Sequence, residues 1–182
     1  MQNTNKTLIA YVSIIFSMIF WGISFVWTKE LLNANFPVFL ILTIRLAIAS
    51  LLMFSVFKLM GKLERIEKTD LPKFFLLALF EPFLYFIGEN FSMHFVDASF
   101  AAIMIALLPI VNPIALHIFN KDKIGWNLLF GAVISVIGIM IMSINPEGEI
   151  KISWQGTLLL LLAVFAGSGY SVILSRLINK YN

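Results

Sequence analysis

Three charged residues stand deep inside otherwise apolar stretches of the chain: Arg45, Glu81 and Glu89. A charge at the centre of a hydrocarbon layer costs about 2.5–3.5 kcal/mol on insertion scales, so three of them demand partners or a polar cavity. Arg45 lies seven residues into its stretch, and Glu89 sits close to the facing end of the next, so the two fall at similar depth and can pair. Two readings are open: a buried ion pair that fixes helix packing, or a route for substrate or protons. Glu81 is farther from Arg45 than Glu89 is, and it is the carboxylate expected to take up and release protons.

Other polar groups gather on the same faces. At about 100° per residue, Ala78, Glu81, Tyr85, Gly88, Glu89 and Ser92 share a stripe roughly 100° wide, with Phe75, Phe83 and Phe86 away from it. Such a stripe must face a helix bundle or a water-filled cavity. Pro82 removes a backbone hydrogen bond beside Glu81 and predicts a kink there. In the first stretch, Ser13, Ser17, Trp21, Ser24 and Thr28 fall within roughly 80° of one another. They could line the same pathway, or the small hydroxyl residues could let helices pack closely. Trp21 is too deep for an interfacial belt, which leaves a cavity wall, a gate or plain packing.

The fourth stretch carries Pro109-Ile110-Val111-Asn112-Pro113 just below its middle, which predicts a broken hydrogen-bond ladder with an amide beside it. Asn112 would then meet either a polar ligand or the freed carbonyls. His117, near the inner end, reads as interfacial. The candidate substrate or proton pathway is therefore Ser17, Trp21, Ser24, Arg45, Glu81, Tyr85, Glu89 and Asn112.

The elements that must position these residues are six apolar stretches, 8–28, 38–57, 74–93, 99–119, 126–144 and 155–175. Each is long enough to cross roughly 30 Å of hydrocarbon at about 1.5 Å per residue. A composition 60% hydrophobic and 13% charged exceeds what one water-soluble core can hide, so the lipid bilayer is the expected solvent. Backbone groups in lipid must be satisfied within the segment, which makes the stretches helices. A β-barrel would show alternation in short strands, and these runs are continuously apolar. The fold expected is an all-α polytopic membrane protein of six transmembrane helices.

Orientation follows from the basic residues. With the N-terminus cytoplasmic, Lys6, Lys58, Lys62, Arg65, Lys68, Lys73, Lys121, Lys123, Arg176 and Lys180 lie inside, against Lys29 and Lys151 outside. This is the positive-inside pattern, and it places both termini in the cytoplasm. The net charge of +3 is then topology, and nucleic acid is not an expected partner. Met1–Lys6 leads into the first stretch without a small-residue cleavage site after it, so that stretch is expected to remain as a helix. The connections leave no room for a soluble domain. The sequence has no Cys and two His, which argues against disulfides, thiol catalysis, zinc or another metal, and no cofactor is expected. Ala166-Gly167-Ser168-Gly169 misses the Gly-x-Ser-Gly serine-protease pattern, no His follows it, and no phosphate loop is present, so an enzyme is not expected.

Helices five and six read as structural. Gly131, Ser135 and Gly138 on one, and Ala163, Gly167, Ser171 and Ser175 at four-residue spacing on the other, form close-approach faces. The second set should seat another helix, with a partner chain as one source. Phe20-Trp21-Gly22-Ile23-Ser24-Phe25 also overlays Phe165-Ala166-Gly167-Ser168-Gly169-Tyr170 at an offset of 145 residues. Duplicated helical units that meet at a midplane site are a transporter architecture.

Phe20-Trp21-Gly22-Ile23-Ser24-Phe25 running to Lys29, then Asp97-Ala98-Ser99 with Ala101-Ala102 leading to Leu107-Leu108-Pro109, then the spaced glycines of helix five, resemble the EamA-like branch of the drug/metabolite transporter superfamily. The likeness spans 8–145, and Gly156–Lys180 resembles the opening of the family's second repeat. It implies a ten-helix transporter of two inverted five-helix units, exporting or importing amino acids, metabolites or drugs through a central cavity. Where many members carry Gly-Glu and a basic residue after helix four, this chain has Asn120-Lys121-Asp122-Lys123, which shifts the acidic position to Asp122 at best. The expected organisation is a first repeat over 1–149 and a sixth helix over 150–182 that starts a second. Such a chain would need a missing second repeat, or a homo-oligomer, to complete its cavity. Its expected location is the bacterial cytoplasmic membrane, and the alternative function is a non-transporting membrane interaction or scaffold protein.

Overall fold

Long apolar runs punctuated by Pro, Gly and Asn dictate a helical hairpin architecture, and the computed structural model has it. The structure describes residues 2–121, 125–142, 153–178 and 180–181. Helix α1 (Gln2–Asn33) ends where Asn35 takes a left-handed conformation, φ 62°, which Asn tolerates better than a branched residue, and Pro37 starts α2 (Val38–Leu59). Gly61, at φ 65°, closes α2. Past a short 3-10 turn at Lys68–Asp70, the third crossing comes in pieces: α3 (Leu71–Ala78), a wide-turned segment Leu79–Leu84, and α4 (Tyr85–Ser92). Glu81 is extended there, at φ −140° and ψ 121°, and the kink expected at Pro82 is present.

The fourth crossing is α5 (Ala98–Ile105) and α6 (Leu108–Asn120). Its break falls at Ala106–Leu107, one turn before the expected place. A proline ring clashes with the carbonyl four residues back, so Pro109 ends α5 at Ile105. Pro109 itself sits in the first turn of α6, where no amide hydrogen is needed. Pro113 is accommodated inside α6. Then follow α7 (Trp126–Met142) and α8 (Trp154–Leu177), the latter capped by Ser153, whose hydroxyl accepts from the Gly156 amide at 3.3 Å.

Among the described residues five helices are long and apolar enough to cross a membrane: Thr7–Asn33, Val38–Leu59, Lys68–Ser92, Ala98–Asn120 and Trp154–Leu177. The fifth expected span, 126–144, is described as the 17 residues of α7, and its last two positions lie outside the described residues. So do Asp122 and the expected boundary at 149/150.

Helix α8 is the centre of the bundle, packed chiefly on α4 and α6, while α1 and α2 expose long rows of Leu, Ile, Phe and Val. The small residues of α8 therefore find their partners within this chain. A Cβ at Gly88 would stand 2.5 Å from the Leu159 carbonyl oxygen and 3.1 Å from the Ala163 Cβ, and one at Gly167 would stand 2.9 Å from Leu108 Cδ2. Helix α7 departs from expectation: among the described residues a Cβ at Gly131 or Gly138 meets nothing within 4 Å, because α7 sits at the edge of the described helices and packs chiefly on α5 and α6.

The end of the bundle bearing Lys58 and Arg176 is tied by side chains. The buried Asp70 carboxylate accepts from Lys73 Nζ at 2.8 Å, Lys180 Nζ at 2.7 Å and the Tyr181 hydroxyl at 2.8 Å. Lys180 also reaches Glu67 at 2.6 Å, and the Tyr181 ring packs edge-on against Phe74. The hydrogen bond to Asp70, then that to Glu67, holds the Lys180 ammonium above the ordinary lysine value, so it stays charged across the physiological range. Asp70→Asn should lower the thermal unfolding midpoint in detergent by several degrees, with Glu67→Gln, at an exposed position, changing it little. Equal midpoints for the two variants would remove Asp70 from its place as the hub.

Candidate functional site

The pathway residues divide in the structure. Arg45 on α2 points toward α4, where its Nη1 lies 3.9 Å from Glu89 Oε1, and its guanidinium stands 4.5 Å above the centre of the Phe86 ring. The Glu89 side chain is 0% exposed and the Arg45 side chain 30%. The pairing read from depth alone is thus present, but at 3.9 Å it is an ion pair without a hydrogen bond. Phe86, off the polar stripe but in the same helix, still carries the guanidinium over its ring. A helix broken at Leu79–Leu84 does not keep one 100° phase along its length, and the stripe survives only in α4, where Tyr85, Gly88, Glu89 and Ser92 are all buried, whereas Ala78 before the break is exposed.

Around the pair the polar atoms are under-satisfied. Among the described residues, Arg45 Nη1, the Tyr85 hydroxyl and both Glu89 oxygens are buried without a hydrogen-bond partner, as is Asn90 Oδ1 next along α4. Native interiors leave few such atoms, and clusters of them mark places where water, an ion or a ligand completes the set. Glu89 is within electrostatic reach of Arg45, Tyr85 and Glu81. Glu81, half-buried at the kink, makes no hydrogen bond or ion pair among the described residues, and Tyr170 on α8 lies within its electrostatic reach. Asn90 and Tyr170 escaped the sequence reading. Asn90 falls roughly 100° beyond the nearer edge of the stripe, and Tyr170 is brought near only by the packing of α8.

Helix α1 contributes by its second half. Thr28 is buried, Trp21 tilts against Phe25 at 5.9 Å, and Ser24 Oγ donates to the Trp21 carbonyl at 2.6 Å. Lys29 Nζ donates to the carbonyls of Met93, at 2.6 Å, and Val96, at 3.0 Å, which ties α1 to the turn after α4. Ser13 and Ser17 are exposed and stand apart from the charged cluster. Asn112 also stands elsewhere: its Oδ1 is 2.9 Å from Ser168 Oγ, an α6–α8 contact.

Two cavities flank this framework. One of about 380 Å³ lies between α1 and α2, with Ser24, Thr28 and Arg45 among otherwise apolar walls. The other, of about 460 Å³ between α6 and α8, has apolar walls broken only by Ser168 and Gly169, and no charged group lines it. The first therefore adjoins the ion pair.

Residues 8–144 match the family model described as the EamA-like transporter family. The chain belongs to that family. The EamA-like match covers α1 to α7 and so includes Arg45, Glu81 and Glu89. Among curated proteins, this EamA-like chain is 28% identical over 172 residues to an uncharacterized transporter of Archaeoglobus fulgidus, covering 94% of itself and 59% of that relative. It is 29% identical over 161 residues to the uncharacterized transporter YdfC of Bacillus subtilis, covering 88% of itself and 52% of YdfC. A third relative, YcxC of Bacillus subtilis, also an uncharacterized transporter, is 25% identical over 177 residues, 55% of its length. The chain thus spans between half and three-fifths of the curated relatives it matches. No solved structure matches it significantly.

Proposed function

We propose that this EamA-like chain is a membrane transporter of small solutes, of the drug/metabolite type, and that its pathway runs past Arg45, Glu89, Tyr85 and Glu81. The observation that carries the reading is the cluster of buried, unpartnered polar atoms around the Arg45–Glu89 pair beside a cavity. Such groups are costly inside a membrane and are retained where something polar passes or binds. Membership of a family described as transporters, and relatives named as transporters, support the same reading.

In this proposal residues 1–149 form a first five-helix unit and 150–182 open a second, with both termini cytoplasmic in a bacterial inner membrane. The remainder of the bundle comes from a second repeat or a second copy of the chain. The position of α8 at the centre of the described helices supports this, since the helix that begins the second unit is seated in the first. Ser17, which lies outside the described cluster, would face such added helices, and Asn112 would serve the joint between the units.

The test is solute counterflow and proton-driven uptake in liposomes, screened across amino acids, organic acids and cationic drugs. Glu81→Gln is expected to abolish the pH dependence of uptake while leaving counterflow measurable, because Glu81 sits at the helix break without a fixed partner among the described residues. Unchanged pH dependence in that variant would remove Glu81 from the coupling role, and no counterflow of any solute would favour the scaffold reading.

A further inference from the structure

The cavity between α1 and α2 displays a single charge. Its walls are Trp27, Leu31, Phe36, Leu40 and Ile44 among others, with Ser24 and Thr28 adding hydroxyls and Arg45 the guanidinium. Glu89, the counter-charge, is wholly buried and does not line the cavity. A molecule entering from this side therefore meets the cation before the carboxylate. We propose that this cavity binds an organic anion with an apolar body, its carboxylate or phosphate oxygens held by Arg45.

Three details of geometry carry this. Arg45 turns its buried Nη1 to Glu89 at 3.9 Å, its one ion pair among the described residues, and keeps 30% of its side chain exposed, so the other guanidinium nitrogens remain as donors for a ligand. The Phe86 ring, its centre 4.5 Å from the guanidinium carbon, makes a cation–π contact that uses no N–H donor and so leaves the fork for a two-point contact with an oxyanion. The apolar walls border an open groove of about 380 Å³, within the range of small-molecule sites, and suit an aliphatic or aromatic body. A cationic ligand is disfavoured, because Arg45 screens Glu89 from it. A neutral ligand would leave the Arg45 donors unmet. As the substrate class of the pathway, the assignment rests on the transporter reading; as a binding site, it does not.

Purified chain in nanodiscs of zwitterionic lipid, titrated with 4-phenylbutyrate, 4-phenylbutylamine and 4-phenylbutanol and followed by tryptophan fluorescence, tests it, since Trp27 lines the cavity. The carboxylate is expected to bind roughly tenfold or more tighter than the amine or the alcohol. Arg45→Gln should erase the preference, as should Arg45→Gln with Glu89→Gln, a pair that leaves no uncompensated buried charge. Arg45→Lys should keep the preference with weaker binding, having a point charge in place of the fork. Equal or tighter binding of the amine, or a carboxylate preference that persists in the double variant, would overturn the proposal. Adding phosphatidylglycerol separates the two sources of such an anion: competition with phenylbutyrate assigns the site to a bilayer lipid, and its absence to a solute, either supporting an anion site. Counterflow of a cation without phenylbutyrate binding would overturn the anion site and leave the transporter reading intact.

Discussion

Gly88→Leu should separate α4 from α8 and unfold the centre of the bundle. The space for even a Cβ at Gly88 is taken by backbone: the Leu159 carbonyl oxygen at 2.5 Å and the Ala163 amide nitrogen at 3.0 Å. A flexible side chain could swing aside, but a helix backbone yields only by moving the helix. Overpacking a tight interior contact costs about 1–3 kcal/mol, occasionally more, which sets the expectation for Gly88→Ala, and leucine adds three carbons to the same clash. Because α8 touches α4 and α6 together, its displacement also strains the Asn112–Ser168 contact. The thermal unfolding midpoint and monodispersity in detergent are the readouts. Gly131→Leu on α7 is the control, since a Cβ there meets nothing within 4 Å, and it should leave both unchanged. Similar behaviour of the two variants would mean that the α4–α8 contact does not hold the bundle.

Removing one member of the Arg45–Glu89 pair should be the second large effect. Glu89 is 0% exposed, so Arg45→Ala leaves a buried carboxylate without its cation, a loss of about 3–5 kcal/mol where such pairs are broken. Glu89→Ala strands a guanidinium that is 30% exposed and able to reach the cavity, so a smaller loss is expected. Arg45→Met with Glu89→Leu, close in volume and uncharged, should restore most of the stability, giving a coupling that a double-mutant cycle reads directly. Transport separates the readings that stability cannot. If the pair lies on the pathway, the double variant is stable and inactive; if it only fixes packing, the double variant is stable and active.

Much of this was legible from residue types. Arg45 and Glu89 sit at matching depths in neighbouring stretches, and charges in an apolar medium seek each other, so their meeting followed from spacing. Pro82 marked the kink, because a missing amide hydrogen acts locally. Pro109 was less legible: a proline disturbs the turn before it, which moved the break to Ala106–Leu107 and made Pro109 a helix start. Ala78 departs from the stripe for a related reason, since angles counted along one straight helix fail once the helix is broken, whereas Phe86, one turn before Glu89 within α4, lies off the stripe and still meets the Arg45 guanidinium.

By itself the sequence determined the membrane class, the helical segments, the family resemblance and the residues too costly to bury without purpose, because each depends on composition or on short-range geometry. The tertiary structure decided which of those residues share a site. It joined Arg45, Tyr85, Phe86 and Glu89, left Ser17 outside, gave Asn112 to Ser168, and brought Asp70 to Lys180 and Tyr181 across more than a hundred residues. Those outcomes turn on how helices rotate and how closely they approach. Positions such as Gly88, where two backbones meet, set that approach only when both helices are present.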